Sequence, residues 1–235
     1  MAHHLIDISA AQCSITCRDG QLICRAKNEP EKRAPMEDIG AIIVNSFSVS
    51  MHNRVFLEAA KNGTVIIFCE NFKPTALLLP ANRATDTLLT RGQISLENKL
   101  RKALWLKTLT AKCVNQAAFA QHLEPEDDRT RQLCALARSK RADKEAQCAR
   151  FYWSVLAGHF ALVDFRRRRN AGGLNSLLNY GYAVLLARIL QKMIAVGLDP
   201  TFGVGHVVRE RAAPLAYDLM EPFRVLVDAR ALAWV

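Results

Sequence analysis

Apolar and polar residues alternate in short runs over the first 80 positions of the chain. The runs QCSITC (12–17) and QLICRA (21–26) have the apolar alternation of half-buried strands. Asp19 and Gly20 lie between them, and an Asp-Gly pair adopts the positive φ angles of a tight hairpin turn. The pattern therefore predicts a β-hairpin.

The same region continues with three more apolar runs and one segment of helical spacing. The runs AIIVN, TVIIFCE and TALLLP predict strands at 41–45, 64–70 and 75–80. Residues 50–61 predict a helix, and Asn62-Gly63 after it predicts its C-cap. A β-rich N-terminal part follows from these elements.

From Ser95 onward the apolar spacing becomes helical and stays so to the end of the chain. The predicted helical segments cover about 96–120, 126–139, 144–163, 174–197 and 215–234. We therefore predict an α+β fold with a small N-terminal β-rich domain and a larger all-α domain. The expected boundaries are 1–82 for the β-rich domain, 83–94 for a linker and 95–235 for the helical domain.

Charge is divided unevenly between the two predicted domains. Residues 1–92 hold 10 Lys and Arg against 9 Asp and Glu, whereas residues 93–235 hold 22 against 13. A basic surplus confined to the helical part favours a polyanion partner, although a general solubility surplus is the alternative. The seven cysteines form no CxxC pair and are expected to be reduced. Neither an export signal nor a membrane-spanning run is evident, so we expect a cytoplasmic protein with no membrane partner.

Four polar residues of the helical part are candidates for metal chemistry. Glu145 begins a helix, His206 follows the glycines of GLDPTFGVGH, and Asp218 and Glu221 share one helical face at spacing i, i+3. Two carboxylates with one imidazole suit Mg²⁺ or Mn²⁺ better than zinc. An acid in a first helical turn also complements the helix dipole, and spacing alone does not bring Glu145 to Glu221.

An ordered set of motifs resembles one known family. The runs EAQCARFYW (145–153), LNSLLNYGYAVLLARI (174–189), GLDPTFGVGH (197–206) and LAYDLMEPFRVLVD (215–228) are similar to CRISPR-associated protein one, the integrase and endonuclease of CRISPR adaptation, in its type II form. The order of the motifs is far more specific than any one of them.

The resemblance implies a function, a site and partners. Glu145, His206 and Glu221 would bind the catalytic metal, with Asp218 and Asn179 as supporting residues beside it. The activity would be insertion of short DNA fragments as spacers at the leader-repeat end of a CRISPR array by 3′-OH transesterification. Implied partners are double-stranded DNA, a second copy in a homodimer, the small ferredoxin-like CRISPR-associated protein two, and the type II effector nuclease.

Two basic clusters are candidate DNA contacts, because guanidinium and ammonium groups bind phosphates. The residues concerned are Arg166, Arg167, Arg168 and Arg169 in one cluster and Arg138, Lys140, Arg141 and Lys144 in the other. Either cluster could instead be merely solvated. Asn175 and Asn179, four positions apart, are expected to support the metal or position DNA.

The chain departs from the family in two respects. Relatives continue for several helical turns beyond the last motif, so the helical domain is expected to lack C-terminal helices. Relatives also often have a second histidine where this chain has Gly205. Two alternatives therefore stay open: a non-catalytic DNA-binding scaffold of the adaptation complex, and a stand-alone nuclease for branched DNA.

Overall fold

The computed structural model describes residues 4–9, 12–80, 87–139, 141, 143–168, 171–206 and 213–234. The chain divides into two compact units. The first comprises Met1–Ser95 with Leu186–Phe202, and the second comprises Leu96–Leu185 with Gly203–Val235. Strands are concentrated in the N-terminal part and the remainder is mostly helical, which confirms the predicted α+β fold class.

Two four-stranded sheets and one helix form most of the first unit. Its strands are β1 (His4–Ile8), β2 (Cys13–Arg18), β3 (Gln21–Ala26), β4 (Lys32–Pro35), β5 (Ile39–Val44), β6 (Ser50–Met51), β7 (Val65–Glu70) and β8 (Lys73–Leu78), with helix α1 (Asn53–Lys61) before β7. One sheet has the order β1-β5-β7-β8, parallel except for β8, and the other has the order β4-β3-β2-β6. Every residue of β5 is buried, as expected for a central parallel strand.

The turn residues of this unit adopt the conformations that the sequence predicts. β2 and β3 pair as an antiparallel hairpin, with Asp19 and Gly20 at φ +51° and +72°. Gly63 ends α1 with φ +69°. Short strands with little burial, such as β1 and β4, lacked a clear apolar alternation and were missed.

The predicted linker contains a helix. α2 spans Thr87–Ile94 and belongs to the first unit, together with residues 186–202. The Gln93 side chain donates to the Asp199 carbonyl at 2.9 Å and accepts from the Asp199 backbone N–H at 3.0 Å. These two hydrogen bonds help to explain why residues 186–202 belong to the same unit as α2. A single division at residue 95 would assign them to the other unit.

The second unit is built from helices around one apolar core. They are α3 (Asn98–Leu123), α4 (Asp128–Arg138), α5 (Lys144–His159), the start of α6 (Leu174–Ala195), α7 (Pro214–Met220) and α8 (Arg224–Leu232), with a 3-10 turn at Glu221–Phe223. Cys113, Leu133, Tyr152 and Leu156 lie in its core. None of the described helices combines the length and the apolar character that a membrane span requires.

The last predicted helix, 215–234, is interrupted at Glu221, one of its candidate site residues. Pro222 lacks an N–H and its ring crowds the preceding turn. The chain therefore forms the 3-10 turn Glu221–Phe223 between α7 and α8. As a result, Asp218 lies in α7 whereas Glu221 opens the 3-10 turn, and the Glu221 backbone N–H donates to the Asp218 carbonyl.

Candidate functional site

Two of the predicted acids of the second unit converge on a cation that the sequence did not indicate. The ammonium of Lys112, on α3, lies 2.5 Å from Oε1 of Glu145 and 2.8 Å from Oε2 of Glu221. Glu145 is in the first turn of α5 and its side chain is 40% exposed, whereas that of Glu221 is 6% exposed. Lys112 therefore joins carboxylates from two separate parts of the chain.

Arg224 supplies a second cation to Glu221. Its Nε donates to Oε1 of Glu221 at 2.8 Å across the 3-10 turn. Burial opposes ionisation of Glu221, but Arg224 and Lys112 outweigh it and lower the pKa of this carboxyl. Burial likewise disfavours the charged form of Lys112, yet Glu221 and Glu145 raise the pKa of its ammonium. The cluster is therefore ionic at neutral pH.

One oxygen of this cluster has unused bonding capacity. Oε2 of Glu221 is inaccessible to solvent and, among the described residues, makes no hydrogen bond of acceptable angle. Its 2.8 Å separation from the Lys112 ammonium is thus an ion pair without good hydrogen-bond geometry. A buried carboxylate oxygen in this state retains a lone pair for a cation.

His206 is held from behind by Asp218. Oδ1 of Asp218 lies 2.7 Å from Nδ1 of His206 and accepts from the His206 backbone N–H at 2.9 Å. Oδ2 accepts from the backbone N–H groups of Val204 and Gly205 at 2.6 and 2.9 Å. Burial raises the pKa of Asp218, but these donors outweigh it and the pKa is lowered overall. Asp218 is therefore a carboxylate that fixes both the loop and the imidazole.

The glycines before His206 are required by close packing. A Cβ on Gly203 would lie 2.6 Å from the His206 carbonyl oxygen and 2.7 Å from Cβ of Pro214. A Cβ on Gly205 would lie 2.3 Å from the ring of Trp105, which also contacts the His206 ring edge-on at 5.6 Å between centroids. A second histidine at position 205 would not fit against Trp105.

The three predicted metal ligands line one open cavity of about 300 Å³. Glu145, His206 and Glu221 share its wall with Lys112, Arg167, Tyr182, Arg224 and Asp228. Within the described ranges, however, no three His, Cys, Asp or Glu side chains are close enough to hold a metal ion as they stand. Lys112 lies between the two glutamates, which explains why they do not converge further.

Asp228 and two tyrosines form a buried network beside this cavity. The hydroxyl of Tyr152 donates to Oδ2 of Asp228 at 2.9 Å, and that of Tyr182 donates to Oδ1. Burial raises the pKa of Asp228 to about 6 despite these donors. The Arg224 guanidinium stacks over the Tyr182 ring at 4.6 Å. The sequence pattern does not single out Asp228 as part of the site.

Asn175 and Asn179 bind the arginine cluster through their side-chain oxygens. Oδ1 of Asn175 accepts from Arg167 Nη1 at 2.9 Å and from the Arg168 backbone N–H at 2.9 Å, and Nδ2 donates to the Arg166 carbonyl. Oδ1 of Asn179 accepts from Arg167 Nη2 at 2.7 Å. Arg167 thus lines the cavity, whereas Arg166 and Arg168 are exposed.

The second basic cluster differs from the expectation at one residue. Lys144 is 2% exposed, and its ammonium donates to the carbonyls of Ala137 and Ser139 at the end of α4. It stabilises a helix C-terminus and is not accessible to a phosphate. Arg138 is exposed and Arg141 pairs with Asp143 at the surface. The remaining predicted contacts, Lys140 and Arg169, lie outside the described residues.

Comparison with known proteins decides the family. A family model described as "CRISPR associated protein Cas1" matches residues 7–235. The chain belongs to the Cas1 family. The resemblance drawn from the ordered motifs is therefore confirmed.

Individual relatives agree with this assignment. The CRISPR-associated endonuclease Cas1 of Neisseria meningitidis is 30% identical over 86% of this chain, which spans 66% of that relative's length. A Cas1 protein of Thermotoga maritima has the same fold, with a TM-score of 0.80 at 17% identity over 98% of this chain and 78% of its own. A casposase bound to its integration product has a TM-score of 0.72 at 21% identity, covering 98% and 72%.

Proposed function

We propose that this chain is a metal-dependent DNA integrase and endonuclease that inserts short DNA fragments at the leader-repeat end of a CRISPR array. The observation that carries the proposal is that Glu145 and Glu221 both contact the Lys112 ammonium, in a cavity that His206 also lines. Membership of the Cas1 family supports it, and so does the fold shared with a casposase bound to an integration product.

The residues present fit Mg²⁺ or Mn²⁺. Glu145 and Glu221 offer oxygen atoms, which these hard cations prefer, and one oxygen of Glu221 has an unused lone pair. Asp218 holds Nδ1 of His206, which leaves Nε2 as the ring nitrogen for a metal. When bound, the ion would polarise the scissile phosphodiester and neutralise charge that develops on it.

The chain's own residues would supply positioning and charge. Arg167 lines the cavity, and its guanidinium donates to the side-chain oxygens of Asn175 and Asn179. These bonds hold the guanidinium in place, so it is preorganised to receive a phosphate. Transfer would form a bond from the fragment's 3′ oxygen to phosphorus and break the bond from phosphorus to the target strand's 3′ oxygen. No covalent enzyme intermediate is needed, and both tyrosine hydroxyls are committed to Asp228.

A strand-transfer assay tests the proposal. A labelled duplex with free 3′-OH ends is incubated with a leader-repeat target and Mn²⁺ or Mg²⁺, and joined strands are resolved by size. Glu145→Gln, Glu221→Gln and His206→Ala are each expected to abolish joining. Glu97→Gln, an exposed glutamate at the start of α3, is the matched control and should join at the normal rate. Joining by any of the three site variants at the normal rate would overturn the site.

The same assay separates the alternatives. A scaffold would bind DNA and never join strands, and the ammonium between the two glutamates is the observation that favours it. A branched-DNA nuclease would cut forked substrates and ignore the leader-repeat junction. Fragments ending in 3′-dideoxynucleotides must fail to join if the reaction is transesterification by the 3′-OH.

The partners proposed are those of the family. They are double-stranded DNA, a second copy of the chain, the small CRISPR-associated protein two and the type II effector nuclease. Light scattering of the chain alone and of its mixtures with each protein measures which assemblies form. A strict monomer that ignores both proteins would contradict this part of the proposal.

A further inference from the structure

The catalytic cavity contains a cation of the protein's own. The side chain of Lys112 is 12% exposed, and its ammonium is within 2.8 Å of a carboxylate oxygen from each glutamate. Burying an ammonium is costly unless anions compensate it, and burying the Glu221 carboxylate without a cation is also costly. Glu145, Glu221, Lys112 and Arg224 together carry no net charge. The cluster is therefore balanced without a metal.

A divalent ion bound between the two glutamates would compete with the Lys112 ammonium for the same oxygens. Mg²⁺ takes oxygen ligands at about 2.0–2.1 Å, and the two glutamate oxygens it would use are those that contact the Lys112 ammonium. Arg224 is an unsuitable candidate for displacement, because it is also stacked on Tyr182. Lys112 has a flexible four-carbon stem and can move without a backbone change.

We propose that Lys112 occupies the metal position in the metal-free protein, and that metal binding displaces its ammonium into the cavity, where it contacts a DNA phosphate. Lys112 would then be a counter-ion in one state and a substrate-positioning residue in the other. This inference rests on the proposed metal-dependent function. It adds that metal and Lys112 compete for the same carboxylates, so metal affinity is limited by the exchange.

After the exchange, the displaced Lys112 ammonium would contact a different anion in the cavity. The cavity of about 300 Å³ already contains Arg167, held for a phosphate by two asparagines. Once a divalent ion satisfies the glutamates, a DNA phosphate in the cavity becomes an anion that Lys112 can contact. Lys112 should therefore strengthen DNA binding only when metal is present.

The test uses the full chain and Lys112→Met, which keeps the apolar stem and removes the charge. Mn²⁺ binding is measured without DNA by electron paramagnetic resonance of the free ion. Competition predicts that the variant binds Mn²⁺ at least about fivefold more tightly than the wild type, the lower end of typical coupling between ligands. Thermal unfolding in EDTA should show a lower Tm for the variant, since Glu145 loses its cation and the buried Glu221 keeps only Arg224.

DNA affinity is measured with fragments that end in 3′-dideoxynucleotides, so that no joining occurs. Lys112→Met should weaken binding in Mn²⁺ and leave it unchanged in EDTA. Lys107→Met, an exposed lysine on the same helix, is the matched control and should alter neither Mn²⁺ affinity nor the Tm in EDTA. Lys112→Gln replaces the Met variant if the latter does not fold.

The outcomes are distinguishable from failure of the proposed function. If the wild type and the variant both fail to bind Mn²⁺, the metal function is overturned and the exchange with it. If the wild type binds Mn²⁺ and the variant binds it equally or more weakly, the competition alone is overturned. If Mn²⁺ binding tightens and DNA binding in Mn²⁺ does not change, the phosphate contact is overturned.

Discussion

Asp218 accepts a hydrogen bond at 2.7 Å from the imidazole of His206 while it also receives three backbone N–H groups of the loop that carries that histidine. The carboxylate is fully buried and its pKa is lowered by these donors, so it is ionised at neutral pH. It sets the tautomer, because Nδ1 must carry the proton that faces the carboxylate. One residue therefore fixes the loop, the ring and the free nitrogen.

Replacing Asp218 by Asn should weaken metal binding without removing a ligand. An amide has one acceptor oxygen where four N–H groups now converge, so donors are left buried without partners. We expect a loss of about 1–3 kcal/mol in the free energy of unfolding. Mn²⁺ affinity should fall about 10–100-fold, the usual cost of losing a partner that orients a ligand. Calorimetric Mn²⁺ titration and urea unfolding measure the two effects.

Asp199→Asn is the matched control for this prediction. Oδ1 of Asp199 accepts from the backbone N–H and the hydroxyl of Thr201, and the residue is 8% exposed in the other compact unit. The control should lose stability and retain normal Mn²⁺ affinity. Equal Mn²⁺ affinities for Asp218→Asn and the wild type would contradict the orienting role.

Arg167 and Arg166 should affect DNA in different ways although they are neighbours. Arg167 is fixed by Asn175 and Asn179 at the cavity, whereas Arg166 is exposed. Arg167→Ala should reduce strand transfer at saturating DNA, because a preorganised phosphate contact at the reacting centre is lost. Arg166→Ala should instead reduce DNA affinity and lower the salt dependence of binding by about one charge.

Asn175→Ala tests the same arrangement from the other side. The substitution keeps Arg167 and its bond to Asn179, but it removes the acceptor of Arg167 Nη1 and of the Arg168 backbone N–H. It should lower strand transfer in the same way as Arg167→Ala, and the double variant should be no worse than Arg167→Ala alone. Additive losses in the double variant would show that the asparagine does not act through the arginine.

The sequence predicts local elements well because each depends on neighbouring residues. The Asp19-Gly20 turn and the Gly63 cap follow from backbone preferences that these residues carry anywhere. The ordered motifs singled out Glu145, His206 and Glu221 by resemblance alone, and the three side chains line one cavity. Pro222 was a local signal for the break in the last helix, but the apolar pattern continued across it.

Lys112 and Asp228 could not be predicted from the sequence, for one physical reason. Lys112 precedes Glu145 by 33 positions on a helix with other lysines, and a helical lysine is usually solvated. Asp228 follows Tyr152 by 76 positions. Their roles arise from tertiary contacts that no local spacing encodes. Lys144 is the opposite case. The basic run around it predicted a DNA contact, but the side chain is buried and donates to the Ala137 carbonyl at the end of α4.

Gly181 should reverse the usual effect of alanine in a helix. It lies within α6, where Gly→Ala normally stabilises by about 1 kcal/mol. A Cβ at this position would lie 2.4 Å from Cγ1 of Val227 on α8. We therefore expect Gly181→Ala to lower the free energy of unfolding by about 1–3 kcal/mol, and Val227→Ala in the same chain to relieve part of that loss.

Gly92→Ala provides the comparison. Gly92 is within α2, and an added Cβ meets nothing within 4 Å among the described residues. This substitution should stabilise the protein by about 0.5–1 kcal/mol. Urea unfolding of the two single variants decides the matter, and a stabilising effect at Gly181 would contradict the close packing of α6 on α8.

Asp228 should make the protein lose stability as pH rises from about 4 to about 6. Burial raises its pKa in the folded state to about 6, above the ordinary value of 3.8. A group whose pKa is raised in the folded state binds its proton more tightly when the protein is folded. Its contribution to the free energy of unfolding is therefore complete below the unfolded-state pKa and is lost above the folded-state pKa. The difference between the two values corresponds to about 3 kcal/mol, fully expressed by pH 7.

Asp228→Asn isolates this contribution, because the amide does not titrate. Urea unfolding of both proteins is measured between pH 4 and pH 7. The free energy of unfolding of the variant, relative to that of the wild type, should rise by about 3 kcal/mol across that range. Asp143→Asn is the control: this exposed carboxyl pairs with Arg141, which lowers its pKa, so any trend with pH should have the opposite sign. Parallel pH profiles for the wild type and Asp228→Asn would mean that Asp228 titrates normally, and that the two tyrosine hydroxyls fully offset its burial.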